Sequence, residues 1–373
     1  MRKFGMKRAS VNPVSMSLGT VKAAIQSVGL LGLLLLTPAC AAQDVAPAPK
    51  AEAVKPAPAP TAGPAKSALS PDLLKAVVRI DAHIPSDART AASLGSNRTG
   101  SGVLIDGGGL VVTIGYLITE AMAVEVTVPG GKPVLASIVG FDNDTGLGLL
   151  RTDEPLAIKP IPLARSGAIT EKQAVLVASF DQVQAATVAS RRAFAGTWEY
   201  LLDQAIFTTP PHMNWGGAAL IGADGRLLGI GSLLVKDAVE PNGTQGVEAK
   251  PGNMFVPIDV LPPILGDLIA LGRKGDPPRP WLGLNLQPLG YRLVVARVSE
   301  DGPAEKAGLR RGDVVAGIGG EPVRTLADFY QKLWAQGTAG VAVPLTVLQG
   351  GEPRQLKVET IDRYKYLKLN TSY

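Results

Sequence analysis

The sequence predicts a mainly β protein, with two barrel-type units followed by a smaller mixed α+β unit. The 373 residues include 43 glycines and 30 prolines but only 5% aromatic residues, a composition typical of many short strands joined by turns. Short aliphatic runs separated by turn residues recur from about residue 73 onward. After Trp281 a helical spacing appears among the strands, which indicates a unit of a different kind.

Residues 1–40 have the pattern of a signal peptide. Basic residues precede an apolar run at 28–36, and no acidic residue occurs before Cys40. The run is much shorter than the ~20 apolar residues that a membrane-spanning helix needs. We therefore expect an exported protein of the periplasm or cell envelope.

Cys40 is the only cysteine, so it excludes disulfides and thiolate metal sites from the rest of the chain. Two interpretations of this position stay open. Thr37-Pro38-Ala39-Cys40 is an imperfect lipobox, which predicts a lipid anchor at Cys40. Ordinary cleavage among the small residues around Cys40 is the alternative.

Residues 41–70 alternate alanine, proline and lysine with almost no large apolar side chain. Such a segment cannot bury a core, and we expect an extended tether. The net charge of +5 equals the five basic residues that precede Cys40, and the remainder has 32 basic and 32 acidic residues. This balance argues against a nucleic-acid partner.

The body of the chain divides at a helical pattern. Two sets of short β-type runs, at about 77–141 and 175–256, predict two barrels of similar size. Ile258–Leu271 has helical spacing and is followed by Gly272 and several prolines, which end the helix and mark a boundary. In the last unit, Thr325 and Asp328 form a capping box before a helix at Leu326–Trp334.

Several motifs resemble those of a known family and occur in the same order along the chain. Residues 99–106, 224–230 and 254–257 resemble strands of the HtrA/Do-type (DegP-like) trypsin-like serine proteases, and residues 281–284, 302–309 and 312–315 resemble a PDZ domain. The resemblance covers most of residues 71–361. It implies a chymotrypsin-like double β-barrel at 71–275, a PDZ domain at 278–362 and a C-terminal tail at 363–373.

The resemblance also assigns positions to a catalytic triad, and all three residues differ from the family pattern. Tyr116 stands where the family has histidine, Gly146 where it has aspartate and Trp215 where it has serine. A serine nucleophile needs a base that titrates near the working pH, whereas a tyrosine has a pKa near ~10 and an indole only donates a hydrogen bond. Met213 replaces the glycine that helps to build the oxyanion hole.

The PDZ resemblance implies a groove that binds extended chain termini by strand addition. Its carboxylate-binding loop would be Trp281-Leu282-Gly283-Leu284, and its pocket would contain Leu284, Leu286, Phe329 and Leu333. Arg279 precedes the loop and is a candidate to assist carboxylate binding.

The sequence thus predicts a noncatalytic protease homologue of the envelope that binds peptides or proteins through its PDZ domain, without a cofactor or metal. An active serine endopeptidase in envelope quality control is one alternative. A purely structural assembly subunit, with its groove unused, is another. Oligomerisation stays open.

Overall fold

A computed structural model of the chain describes residues 70–240 and 248–369, which all belong to one compact unit. The signal peptide, Cys40 and almost all of the tether lie outside the described residues, so these interpretations stay predictions. No described helix is both long and apolar enough to cross a membrane.

The first barrel closes in the strand order β1-β2-β3-β6-β5-β4. Close packing of its strands requires small residues: a Cβ on Gly102 would lie 2.5 Å from Val111 and 2.7 Å from Ile80. Its strands are β1 (Val77–His83), β2 (Asn97–Leu104), β3 (Leu110–Ile114), β4 (Ala123–Thr127), β5 (Pro133–Phe141) and β6 (Leu147–Thr152). Short helices flank them, namely α1 (Pro71–Leu74), α2 (Ala91–Leu94) and α3 (Gly115–Ile118).

The second barrel closes in the order β10-β11-β12-β9-β8-β7. A 3₁₀ turn at Ser166–Ala168 precedes it. Its strands are β7 (Ala174–Ala178), β8 (Val183–Gly196), β9 (Tyr200–Thr209), β10 (Ala219–Ile221), β11 (Leu227–Val239) and β12 (Lys250–Pro257). The two closed barrels confirm the predicted chymotrypsin-like architecture.

The helix after the second barrel is shorter than the sequence predicted. Ile258–Val260 forms a 3₁₀ turn, and α4 spans Pro262–Leu271. Proline lacks an N–H group and suits the first helical positions, which explains why the helix begins at Pro262. Gly272 ends it with φ 72°, a left-handed conformation that glycine adopts at little cost.

The last unit is one sheet in the order β13-β14-β15-β17-β18, with β16 paired to β15. The hydroxyl of Thr325 accepts a hydrogen bond from the Asp328 amide at 3.1 Å, so the predicted N-cap of α6 is present. The elements are β13 (Leu284–Leu289), β14 (Arg292–Val298), α5 (Pro303–Lys306), β15 (Val314–Ile318), β16 (Glu321–Pro322), α6 (Leu326–Trp334), β17 (Ala342–Gln349) and β18 (Glu352–Glu359).

A final helical turn, α7 (Arg363–Tyr366), connects the last unit to the first barrel. The Tyr364 hydroxyl donates a hydrogen bond to the carbonyl of Phe141 at 2.6 Å. Asp362 forms an ion pair of 2.7 Å with Arg273, which follows α4. The start of the predicted tail is therefore an ordered contact between domains.

Candidate functional site

The cleft between the two barrels contains the positions that the resemblance assigns to the triad. Tyr116 lies on α3, and its hydroxyl donates a hydrogen bond to the carbonyl of Ser232 at 3.1 Å. Burial raises the pKa of Tyr116, and a hydrogen bond with the Trp215 side chain opposes this shift only in part. Tyr116 is therefore a neutral hydrogen-bonding residue at neutral pH and cannot take a proton from a nucleophile.

The Gly146 position is filled from the second barrel. Tyr200, at the start of β9, is 4% exposed, and its hydroxyl donates to the carbonyl of Thr145 at 2.8 Å. A Cβ on Gly146 would lie 3.4 Å from the Tyr200 ring. Trp198 stacks on Tyr200 with ring centroids 5.7 Å apart. Sequence reasoning missed this aromatic pair, whose signal is the Trp198-Glu199-Tyr200 turn between two long strands.

Trp215 is partly buried, and its loop is fixed by backbone hydrogen bonds. Gly216 accepts one from the Ser101 amide at 2.8 Å. The Asn214 amide donates to Nδ1 of His212 at 3.1 Å. His212 is fully buried, and desolvation lowers its pKa. His212 therefore has the role of a neutral residue that shapes the loop.

The remaining space in this cleft is a cavity of about 100 Å³, whose lining includes Tyr116, Gly146, Trp198, Tyr200 and Ser232. Neither of the two histidines of the chain is among the described residues that line it. A serine hydroxyl there lacks the imidazole that acts as general base in a Ser-His-Asp triad.

The Trp281–Leu284 loop binds a carboxylate from within the chain. The Glu199 side chain accepts hydrogen bonds from the amides of Leu282 (3.0 Å), Gly283 (2.7 Å) and Leu284 (2.8 Å). Glu199 is 6% exposed, and burial raises its pKa to about 7 against the opposing effect of these amides and of Arg363. The predicted carboxylate-binding loop is thus occupied by Glu199.

The turn between β8 and β9, here called the β8–β9 turn (residues 197–199), also pairs with the edge strand. The Leu286 amide donates to the Thr197 carbonyl at 2.9 Å. From the opposite side, the Tyr330 hydroxyl donates to the Gly196 carbonyl at 2.6 Å and accepts from the Glu199 amide at 3.1 Å. The β8–β9 turn therefore lies between β13 and α6.

The predicted pocket residues come together, but they are covered. Trp281 is 8% exposed, and the others are at most 1% exposed, namely Leu282, Leu284, Leu286, Phe329 and Leu333. Ala195 and Leu201 of the β8–β9 hairpin pack against the same cluster. The hairpin therefore lies against the predicted pocket in this conformation, and peptide binding by these residues stays a prediction.

Arg279, the candidate to assist carboxylate binding, has other partners in the structure. Its guanidinium pairs with Asp144 at 3.3 Å and lies over the Trp334 ring at 4.1 Å. Arg363 is the cation whose charge acts on Glu199. Sequence reasoning missed Glu199 and Arg363 because both lie outside the predicted PDZ domain at 278–362.

Comparisons with known proteins agree with this architecture. A family model for the trypsin-like peptidase domain matches residues 100–230, and a model for the PDZ domain matches residues 280–360. The serine protease Do-like HtrA of Lactobacillus helveticus is 27% identical over 288 residues, which cover 70% of this chain and 68% of the relative. A probable periplasmic serine endoprotease, DegP-like, of Halomonas elongata is 26% identical over 278 residues, which cover 70% of this chain and 56% of the relative.

Protease Do-like 1, chloroplastic, of Arabidopsis thaliana is 27% identical over 287 residues, with 70% of this chain and 63% of the relative covered. The crystal structure of the serine endoprotease from Yersinia pestis aligns over 78% of this chain and 94% of its own, with 21% identity and a TM-score of 0.46. The two matched domains and the named relatives support one family: the chain combines a trypsin-like peptidase domain with a PDZ domain and is similar in both to HtrA-type proteins.

Proposed function

We propose that this protein is a noncatalytic member of its family that binds peptides or proteins in the cell envelope through its PDZ domain. One observation carries the proposal: the triad positions hold Tyr116, Gly146 and Trp215, none of which is a nucleophile or a general base at neutral pH. The packing around them supports a structural role, because Tyr200 fills the space next to Gly146.

The loss of single triad groups is already severe in a working protease, where removing the serine or the histidine alone lowers turnover by about 10⁶-fold. In this chain, other nearby residues would have to supply the functions of the serine, the histidine and the aspartate. The relatives are named as serine proteases, and this naming is the support for the endopeptidase alternative. The cleft chemistry favours the noncatalytic proposal.

A purely structural role is the second candidate, and the occupied groove favours it. If the β8–β9 turn never leaves the groove, the PDZ domain only stabilises the packing of the barrels. Detection of any ligand with a free C-terminus in the groove would argue against this candidate.

The proposed location rests on the signal-type pattern of residues 1–40 and on relatives named as probable periplasmic proteins. Fractionation of the wild type and Cys40→Ala tests the lipid anchor. Release from membranes in the variant supports lipidation, and a soluble wild type contradicts it.

Turnover of unfolded casein by the full chain tests the noncatalytic proposal. We expect no cleavage above that of a heat-inactivated sample. Because a contaminating protease would cleave too, Tyr116→Phe and Trp215→Ala are measured in parallel. Cleavage that either variant abolishes contradicts the proposal, and so does cleavage that persists in both variants and co-elutes with the chain on a further purification; persistent cleavage that separates from the chain is contamination.

A further inference from the structure

The β8–β9 turn makes the contacts that a bound chain terminus would make. An extended ligand of a PDZ domain adds a strand to the sheet edge and places its carboxylate on loop amides. Here the Thr197 carbonyl accepts from the Leu286 amide at 2.9 Å. Two residues later, the Glu199 carboxylate accepts from three successive loop amides at 2.7–3.0 Å.

The spacing of these contacts distinguishes a ligand-like arrangement from a simple polar contact between domains. Thr197 and Glu199 lie in one short turn, so a single segment meets the edge strand through a backbone carbonyl and the loop amides through a carboxylate, as the last residues of a bound chain would. A simple polar contact between domains would need only one of these two features. Glu199 occupies all three loop amides, and Thr197 at the same time occupies the edge strand.

The backbone of Glu199 supports the same interpretation. Its φ is 58°, a left-handed conformation that is uncommon for residues other than glycine, asparagine and aspartate. Such a conformation persists where surrounding contacts determine it. The contacts here are the three loop amides on the side chain and the Tyr330 hydroxyl on the Glu199 amide.

The turn also connects the groove to the cleft between the barrels. Glu199 binds the loop, whereas Tyr200, the next residue, lies beside Gly146 and bonds to Thr145. Withdrawal of Glu199 from the loop would therefore move the residues that fill the cleft.

We propose that the β8–β9 turn is an internal ligand of the PDZ domain, and that an external peptide with a free C-terminal carboxylate binds by displacing Glu199 from the Trp281–Leu284 loop. The proposal rests on the proposed function, since it names the regulation of the same groove. The apparent affinity for a peptide then depends on how much more tightly the loop binds the carboxylate of the peptide than the carboxylate of Glu199.

Fluorescence anisotropy of labelled peptides ending in an apolar residue, with a free or amidated terminus, tests the displacement on the full chain. Glu199→Gln keeps the shape of the side chain but removes its charge, and Glu199→Ala removes the group. We expect Glu199→Ala to bind the free-terminus peptide at least tenfold more tightly than the wild type. Glu199→Gln resembles the protonated carboxyl, so it should stay docked and bind the peptide about as the wild type does below about pH 5.5. Asp203→Asn, an exposed acid on β9, is the matched control and should behave as the wild type.

Hydrogen exchange of the wild-type chain supplies a readout that does not depend on a variant's folding. The amides of Leu282, Gly283, Leu284 and Leu286 should be protected without peptide. Saturating peptide should leave them protected but should remove the protection of the Glu199 amide. Peptide binding with the Glu199 amide still protected, or equal affinities in the wild type and both Glu199 variants, would overturn displacement.

The two proposals fail in different ways. Loss of loop-amide protection in Glu199→Ala, with no peptide binding in any variant, would uphold the internal ligand and would reject peptide binding as the function. Suppose that the wild type binds the peptide tightly and that its loop amides are unprotected in the absence of peptide. This result would uphold peptide binding and reject the internal ligand. Equal binding of amidated peptides would reject carboxylate capture in both.

Discussion

At the residue scale, the chemistry of the cleft was predictable, whereas the contents of the groove were not. The triad positions could be assigned to Tyr116, Gly146 and Trp215 from the resemblance, because each lies within a short motif whose other residues resemble the family pattern. Glu199 contacts loop amides 83 to 85 residues later. No local pattern predicts a hydrogen bond over that separation, because it depends on how two domains pack.

The raised pKa of Glu199 leads to a pH dependence. The carboxyl has a pKa of about 7 in the docked turn, against an ordinary value of 4.5, so docking favours the protonated form. The contribution of the protonated Glu199 carboxyl to the stability of the docked turn is fully present below about pH 4.5. It is lost as the pH rises through about 7, by up to about 3 kcal/mol. The facing groups are the loop amides, Arg363 and Tyr330.

We therefore expect the wild type to gain peptide affinity relative to Glu199→Gln by roughly tenfold between about pH 5.5 and pH 7.5. The ratio of the two affinities, measured by anisotropy, cancels the titration of the peptide itself. A ratio that stays constant or falls over this range contradicts the assignment.

At the element scale, patterns local to one segment were predicted well. The helix Leu326–Trp334 has the bounds expected from its capping box and apolar face, since both signals lie within the helix. The helix after the second barrel was predicted too long, because helical spacing in Ile258–Leu271 does not reveal where Pro262 begins the regular turns. The long β8–β9 hairpin was recognised as strands, but its use as a groove occupant was not.

The contact between α6 and the β8–β9 hairpin can be weakened at one hydroxyl. Tyr330→Phe leaves the Gly196 carbonyl and the Glu199 amide without their partner, which costs about 1–3 kcal/mol for buried groups. We expect a lower free energy of unfolding and faster exchange of the Glu199 amide. Tyr291→Phe, at a side chain that is 92% exposed, is the control and should change neither. Unchanged exchange in Tyr330→Phe would show that this hydroxyl does not hold the turn.

At the scale of the whole molecule, the order of the domains followed from motif order, but their mutual packing did not. The hairpin places Glu199 in the PDZ loop and Tyr200 in the cleft, while Tyr364 ties the C-terminal segment to the first barrel. These contacts join elements that the sequence assigned to separate domains. The β8–β9 hairpin thus places its own residues both in the cleft between the barrels and on the Trp281–Leu284 loop.

The most direct test of the central claim, that the cleft has no activated nucleophile, is labelling of the full chain with a serine-directed fluorophosphonate. An active trypsin-like protease at the same concentration serves as the positive control. The account predicts that mass spectrometry finds no covalent adduct on the chain while the control is fully labelled. Stoichiometric labelling of a cleft serine such as Ser232, lost on its change to alanine, would contradict it.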